Sequence, residues 1–223
     1  NDGMTYIYDR DDMYTENFWN TVNPLRLPGT TVAAMKIDNG APDSSVFIQK
    51  GDFLSTESWV GGSSIGNYGI SGMAFSGKIK GAEGDASTTY APELNGKKSW
   101  FMFDDEIVCL GADINNKNMN VPVETTIDNR KLDQDGNNGF LVDGQEMDLP
   151  GKEANVKELA DRSVDVSGVA CEDIRWAHVE GTESAGTGYY FPEENTEIQV
   201  RRAKTTGSCL LYTSPSPRDR SLS

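Results

Sequence analysis

The sequence of 223 residues has few of the side chains that most often carry metal or nucleophile chemistry. Its single histidine and three cysteines leave little material for a zinc site or a Cys/His dyad. Only 20 lysines and arginines oppose 35 aspartates and glutamates, and the resulting net charge of −15 would repel a phosphate backbone. No apolar run approaches the roughly 20 residues that cross a bilayer, and the mean hydropathy is −0.54. We therefore expect neither nucleic acid nor a membrane as a partner.

The composition is nevertheless that of a folded protein. Hydrophobic residues make up 36% and charged residues 25% of the chain, and the length allows one large domain or two small ones. The chain begins with Asn1 rather than Met, which leads us to expect a fragment. Residues 209–223 depart from the preceding composition and resemble one reading frame of a sequencing-library adapter, the alternative being a natural Ser/Pro-rich tail. We expect this segment to lie outside the fold.

The patterning of the chain is that of an all-β protein. Period-two alternation and β-branched or aromatic clusters recur between short Gly, Asn and Asp interruptions. The predicted strands are Met4 to Tyr8, Thr30 to Ile37, Ser45 to Gln49, Gly69 to Ile79, Ser99 to Phe103, Ile107 to Leu110, Val121 to Ile127, Ile174 to Val179, Gly188 to Phe191 and Thr196 to Arg202. Without a βαβ rhythm, these strands should form stacked antiparallel sheets or a barrel.

The sequence predicts two hairpins, one buried and one at the surface. In the segment Ser99 to Gly111, two nearly continuous apolar runs flank a short acidic turn, which indicates a hairpin buried on both faces. In the segment Phe140 to Met147, Asp143-Gly144 supplies the residues that a type I′ turn requires. The charged flanks of this second turn predict a surface hairpin.

Candidate sites for metal or proton chemistry are weak. Residues 133–139 offer closely spaced oxygen ligands, but the spacing departs from the EF-hand pattern, and an exposed acidic turn is the alternative. His178 could act as a base near neutrality, yet no serine or cysteine nucleophile motif accompanies it, and a structural histidine is favoured. Cys109 and Cys171 are interpreted as small buried hydrophobes.

The tryptophans are candidates for stacking on sugar rings, because an indole offers a flat apolar face. Trp100 and Trp176 lie in strand patterns and are predicted to be core. Trp19 lies near Asn23 and Arg26 in an irregular, Pro-containing segment. This group offers stacking, hydrogen bonding and carboxylate pairing, so we predict that it contacts a sugar ligand. The alternative is that Trp19 and nearby proline only pack the loop.

Six segments stand out together, in order along the chain: Asp2-Gly3-Met4, Phe18 to Thr31, Ser99 to Ile114, Thr125 to Arg130, Gly188 to Pro192 and Thr206 to Ser208. These segments resemble polysaccharide lyase family 8, the hyaluronate, chondroitin AC and xanthan lyases. The resemblance extends over essentially residues 1–208. The order and spacing of the segments make it specific.

The resemblance implies an antiparallel β super-sandwich that follows an N-terminal helical toroid in a secreted or periplasmic enzyme. Such enzymes cleave acidic polysaccharides by β-elimination. An Asn and a His neutralise the uronate carboxylate, a Tyr removes the C5 proton and protonates the leaving oxygen, and an Arg assists. The resemblance assigns these residues to the toroid, and neither His178 nor Tyr189 matches the catalytic His or Tyr.

The chondroitin AC branch of the family also implies a calcium site, with acidic ligands near Asn23 and Leu25. Leu25 cannot coordinate a cation, so we predict no metal there and no cofactor elsewhere.

We therefore predict that residues 1–208 are part of an antiparallel super-sandwich that is truncated at both ends. The parent would be a polysaccharide lyase, and this fragment alone would be inactive. Its partners would be an acidic polysaccharide and the missing toroid of the same chain, with Trp19, Asn23 and Arg26 near the rim that faces the toroid. The alternatives are a noncatalytic carbohydrate-binding sandwich and a purely structural domain.

Overall fold

The structure is a computed structural model of the chain. It describes residues 3–5, 7, 22–23, 26–33, 57–76, 94–116, 123–132, 138–149, 151–155, 168–181 and 186–206. Every regular element in these ranges is a strand, as the all-β prediction expects. The strands are β1 (Thr31–Ala33), β2 (Val60–Ile65), β3 (Tyr68–Ser76), β4 (Leu94–Met102), β5 (Ile107–Asn116), β6 (Val123–Thr125), β7 (Phe140–Val142), β8 (Gln145–Glu146), β9 (Lys152–Asn155), β10 (Val169–Cys171), β11 (Trp176–Glu180), β12 (Gly186–Tyr190), β13 (Ile198–Val200) and β14 (Ala203–Thr206). The described ranges contain no helix that is long and apolar enough to cross a bilayer.

The chain divides into two compact units. Unit 1 comprises Asn1–Thr5, Leu25–Asp38 and Pro42–Asp128. Unit 2 comprises Tyr6–Pro24, Asn39–Ala41 and Asn129–Ser223.

The main sheet of unit 1 has the strand order β2-β3-β4-β5, and all its neighbours are antiparallel. Since directly opposite residues share a face, the register divides its side chains into two sets. One set, which we call the covered face, includes Phe75, Leu94 and Lys98, all less than 9% exposed. Gly3 packs on this face, and its backbone is so close that a Cβ would lie 2.7 Å from Trp100 Cη2. Trp100, which was predicted to be core, packs on this face but is only half-buried.

The opposite side of this sheet, which we call the open face, is exposed and carries a cluster of apolar side chains, with Lys97 on the same side. Tyr68 and Phe103 meet edge-on there, with ring centroids 6.1 Å apart. The face carries Ile65, Tyr68, Ile70, Phe101, Phe103, Val108 and Leu110, of which all but the half-buried Phe101 are exposed.

The predicted hairpin between Ser99 and Gly111 is confirmed, because β4 pairs with β5 across the acidic turn. Its predicted burial on both faces is wrong. Val108 and Leu110 are 42% and 51% exposed, and β5 is an edge strand of the sheet. The two apolar runs make both faces of the hairpin nonpolar. Among the described residues, however, no layer covers the open face.

The main sheet of unit 2 has the order β12-β11-β7-β8, again antiparallel. One of its faces packs into a core in which Ile174 is 2% and Ala177 is 1% exposed. The buried members of this core are Phe140, Val142, Leu149, Cys171, Ile174 and Ala177. Strand β10, paired with β13, contributes Cys171. This sheet therefore has a core built from its own unit.

The second predicted hairpin is also confirmed. Asp143 and Gly144 have φ values of 47° and 82°, the two positive angles of a type I′ turn, and the turn residues are exposed. The Asp143 carboxylate accepts hydrogen bonds from the backbone N–H of Arg175 (3.1 Å) and of Trp176 (3.0 Å). The turn is thereby fixed to the start of β11.

Other predictions fare unevenly. Met4, Thr5 and Ile7 lie outside any strand; Thr5 N–H instead makes a single 2.9 Å bond to the Pro28 carbonyl. Cys171 is buried as predicted, whereas Cys109 is exposed on β5. The pair β9 and β14 is parallel, unlike the other pairs. The predicted strand Ser45 to Gln49 lies outside the described residues.

Candidate functional site

Arg26 pairs with a carboxylate 98 residues away in the chain. Its Nε and Nη2 donate to Glu124 Oε2 and Oε1, at 3.1 and 3.4 Å. Glu124 lies on β6 directly opposite Val32 of β1, so the pair links the segment before β1 to the strand paired with it. The two side chains are 19% and 36% exposed. The Arg26 charge is thus already matched by a protein carboxylate, and its side chain is partly exposed.

Of the other two predicted contact residues, only Asn23 lies among the described residues. Asn23 is 8% exposed and has interaction partners within the protein. It belongs to unit 2, whereas Arg26 belongs to unit 1. Trp19 lies outside the described residues. The substrate-binding role of Trp19, Asn23 and Arg26 therefore stays a prediction.

A buried lysine that the sequence analysis missed lies under the covered face. Lys98 is 7% exposed, its Nζ donates to the Gly29 carbonyl, and it lies 5.9 Å from the centroid of the Phe75 ring. Alternation within β4 placed it among apolar residues, a signal that could have marked it. The nearby Cys109 thiol is partly desolvated, which raises its pKa, while the Lys98 charge opposes that shift. Lys98 holds the Gly29 segment against the sheet.

Unit 2 carries a shallow depression that is open to solvent and has room for little more than one water molecule. Arg130, which is part of its wall, donates from Nη2 to the Ile7 carbonyl at 3.5 Å. The lining residues are Arg130, Lys131, Leu132, Asn138, Val179, Glu180, Gly181 and Gly186. The lining thus contains two cationic side chains and one carboxylate, and both cations have interaction partners within the protein.

His178 lies on β11, opposite Gly188 of β12 and Leu141 of β7, and is half-buried. Its ring leans over β12, because a Cβ on Gly186 would lie 2.9 Å from His178 Cε1. Among the described residues, no group of three or more His, Cys, Asp or Glu side chains is placed to hold a metal ion. Residues 133–137, the main part of the calcium-like loop, lie outside the described residues.

Comparison with known proteins shows that almost the whole chain matches one protein family. Residues 1–217 match the family model described as "Polysaccharide lyase family 8, super-sandwich domain". A hyaluronate lyase of Thermasporomyces composti is 32% identical over 220 residues, which are 97% of this chain and 23% of that protein. A xanthan lyase of Bacillus sp. (strain GL1) is 37% identical over 211 residues, 92% of this chain and 18% of that protein. The hyaluronate lyase HylB of Enterococcus faecalis is 30% identical, over 98% of this chain and 19% of that protein. The chain spans about a fifth of the length of these relatives.

Proposed function

Because the chain belongs to polysaccharide lyase family 8, matching its super-sandwich domain, we propose that it is part of a longer lyase that cleaves an acidic polysaccharide by β-elimination. The observation that carries the proposal is the match over residues 1–217 together with relatives named hyaluronate lyase and xanthan lyase. A chain that spans about a fifth of such relatives fits one component of the enzyme. The polymer is too large to cross a membrane unaided, so we place the parent outside the cytoplasm, secreted or periplasmic.

The open face supports the proposal that a further layer of the parent covers this chain. Monomeric proteins rarely expose contiguous apolar patches of more than a few hundred Å² without a function for them. Here six apolar side chains on one sheet face are exposed. We propose that more of the parent polypeptide, with the helical toroid as its main body, buries this face.

The reaction that we assign to the parent requires the enzyme to neutralise a charge, to remove a proton and to donate a proton. The uronate carboxylate must be neutralised, so that the C5 proton becomes acidic enough to leave. A base takes that proton, its electron pair forms the C4–C5 double bond, the C4–O bond breaks, and the leaving oxygen receives a proton. We propose that an Asn, a His, a Tyr and an Arg of the toroid perform these steps, and that the present chain alone is inactive.

We propose that Trp19, Asn23 and Arg26 help to seat the polymer at the rim that faces the toroid. The support is chemical: an indole, an amide and a guanidinium within eight residues match the stacking, hydrogen-bonding and carboxylate groups of a uronate polymer. Because Arg26 is paired with Glu124, a sugar carboxylate would have to share or displace that partner. Replacing Arg26 by Ala in the parent should therefore raise KM more than it lowers kcat.

The assay for unsaturated uronate tests the proposed function directly. Hyaluronan, chondroitin or xanthan is incubated with the parent and, separately, with the 223-residue chain, and ultraviolet absorbance is followed. We expect absorbance to rise with the parent only. A parent that binds these polymers without producing absorbance would favour a noncatalytic carbohydrate-binding sandwich, and a parent that does neither would favour a purely structural domain. Turnover by the chain alone would show that the active site is misplaced.

A further inference from the structure

Two aromatic side chains lie side by side on the solvent face of the unit 2 sheet. The register pairs Trp176 of β11 directly with Tyr190 of β12. The bond from Phe191 N–H to the Arg175 carbonyl, 2.8 Å long, lies just outside this pair, which is therefore of the non-hydrogen-bonded type. Side chains approach most closely in such pairs, with Cβ atoms about 4.5–5.5 Å apart. Trp176 and Tyr190 therefore project from directly opposite positions on the same face of the sheet.

This surface is exposed rather than packed. Trp176 is 39% and Tyr190 is 69% exposed, so the prediction that Trp176 belongs to the core is wrong. The reason is the register: Ala177 and Val179 point to the other face, where Ala177 joins the core cluster. Residues 176 and 190 must then point away from that core.

The backbone under the aromatic pair is held rigidly. Trp176 N–H donates to the Asp143 carboxylate at 3.0 Å, and Asp143 N–H donates to the Trp176 carbonyl at 3.1 Å. The indole lies next to the type I′ turn, with Cζ2 at 3.9 Å from where a Cβ of Gly144 would be. A glycine at that turn position leaves the indole uncovered. Little ordering of the backbone would be needed when a ligand binds.

The next residue of β12 on the same face as Tyr190 is a glycine, which leaves open space beside the aromatic pair. Gly188 lies opposite His178, and no atom lies within 4 Å of where its Cβ would be. The His178 ring leans instead toward Gly186. The sheet face therefore carries two exposed aromatic residues at Trp176 and Tyr190, uncovered backbone at Gly188, and the His178 imidazole beyond it.

We propose that Trp176, Tyr190 and the floor at Gly188 form a carbohydrate-binding platform for successive pyranose units of a polysaccharide. The apolar ring face of one sugar would stack on the aromatic pair, and the next sugar would lie over Gly188 within reach of His178. Trp176, Tyr190 and Gly188 carry no charge, so recognition would use the sugar ring and not its carboxylate. The choice of a polysaccharide as ligand rests on the proposed function; the geometry of the platform does not.

The platform also differs from the cationic depression described above. Binding at Arg130 and Lys131 would weaken as salt screens their charges, whereas stacking on uncharged rings would change little. Salt dependence and a Lys131→Ala variant therefore distinguish the two surfaces.

Native affinity electrophoresis of the 223-residue chain tests the platform, with xanthan as the acidic polymer and hydroxyethylcellulose as the neutral one. We expect both polymers to retard the chain, with little change on adding salt. Trp176→Ala and Tyr190→Ala should each weaken binding about tenfold. Trp59→Ala removes an indole that is 59% exposed in unit 1, and it serves as the matched control that should bind as the unaltered chain does.

A Gly188→Val variant keeps the test decisive if an aromatic variant fails to fold. The added side chain enters open space on an extended strand, so circular dichroism should be unchanged while binding is lost. Retardation that survives in Tyr190→Ala and Gly188→Val would overturn the proposal. So would binding that only xanthan supports and that Lys131→Ala or salt abolishes. Because no turnover is measured, these results stand apart from a failure of the parent to act as a lyase.

Discussion

The two four-stranded sheets of this chain bury their faces in different ways. The β12-β11-β7-β8 sheet packs one face into a core of its own unit, in which Ile174 is 2% exposed. Its other face is solvated and carries one aromatic pair. The β2-β3-β4-β5 sheet also covers one face, but its open face is lined with aliphatic and aromatic side chains, among them Leu110 at 51% exposure. The first sheet has the core that it needs, whereas the second presents a surface typical of a protein interior.

This difference between the two sheets shows that a run of apolar residues makes a sheet face nonpolar but does not determine which element covers that face. Antiparallel sheets commonly alternate apolar and polar residues because one side faces water. The β4–β5 hairpin breaks that alternation, and its strands carry apolar residues on both sides. Such a hairpin suits a sheet between two layers, as in stacked sandwiches.

The largest expected effect contrasts Ile174 with Leu110. Ile174→Ala should lower the free energy of unfolding by about 2–5 kcal/mol, because it leaves a cavity in the unit 2 core. Leu110→Ala also truncates an aliphatic side chain, but on the open face, and should cost less than about 0.5 kcal/mol. Urea denaturation of the 223-residue chain measures both. Equal losses would mean that the two sheets do not differ in burial as described.

A smaller effect is expected on the covered face. Lys98→Met keeps most of the buried stem but removes the donor to the Gly29 carbonyl, so the free energy of unfolding should fall by about 1–3 kcal/mol. The matched control is Lys97→Met, one residue earlier on the exposed side of β4, where the side chain is 60% exposed. Its effect should be near zero. If the two variants have the same stability, Lys98 does not hold the Gly29 segment.

The smallest effect concerns the exposed pair Lys97 and Asp113, whose Nζ and Oδ2 atoms are 2.8 Å apart. The hydrogen bond from Lys97, and then its charge, lower the pKa of Asp113 below its ordinary 3.8. A lowered folded-state pKa stabilises the fold above the ordinary value, and this contribution is lost as pH falls through the folded pKa. Asp113→Asn should therefore lower the melting temperature slightly at about pH 7.

The same Asp113→Asn variant has a built-in control. Asn tolerates the left-handed φ of 54° found at this position, so backbone strain is not added. The difference from the unaltered chain should shrink toward about pH 3 and at high salt, as the carboxylate is protonated or screened. A difference that is independent of both pH and salt would refute an electrostatic origin.

Much of the fold could be predicted because its signals are local. The Asp143-Gly144 dipeptide specifies a type I′ turn through backbone angles alone, and the apolar runs around Asp104 and Asp105 specify a hairpin. Strand β2, which contains Gly61 and Gly62, has weak strand propensity. It was not predicted as a separate strand, although the two-residue Gly66-Asn67 turn that joins it to β3 is a local hairpin signal.

The site features depend on long-range contacts and were harder to foresee. The Arg26–Glu124 pair joins residues 98 positions apart, and no spacing rule connects them. Trp176 was expected in the core because it lies in a strand, but a strand pattern does not state which of its two faces is covered. The exposure of Cys109 follows in the same way from the edge position of β5.

Hydroxyl-radical footprinting of the 223-residue chain and of the longer parent most directly tests the central claim, that this chain is one layer of a larger lyase. In the chain alone, Phe103, Leu110 and Tyr190 should all be oxidised, because all three are exposed. In the parent, the account predicts strong protection of Phe103 and Leu110 on the open face, with Tyr190 labelled as before. Equal labelling of Phe103 and Leu110 in both proteins would contradict it.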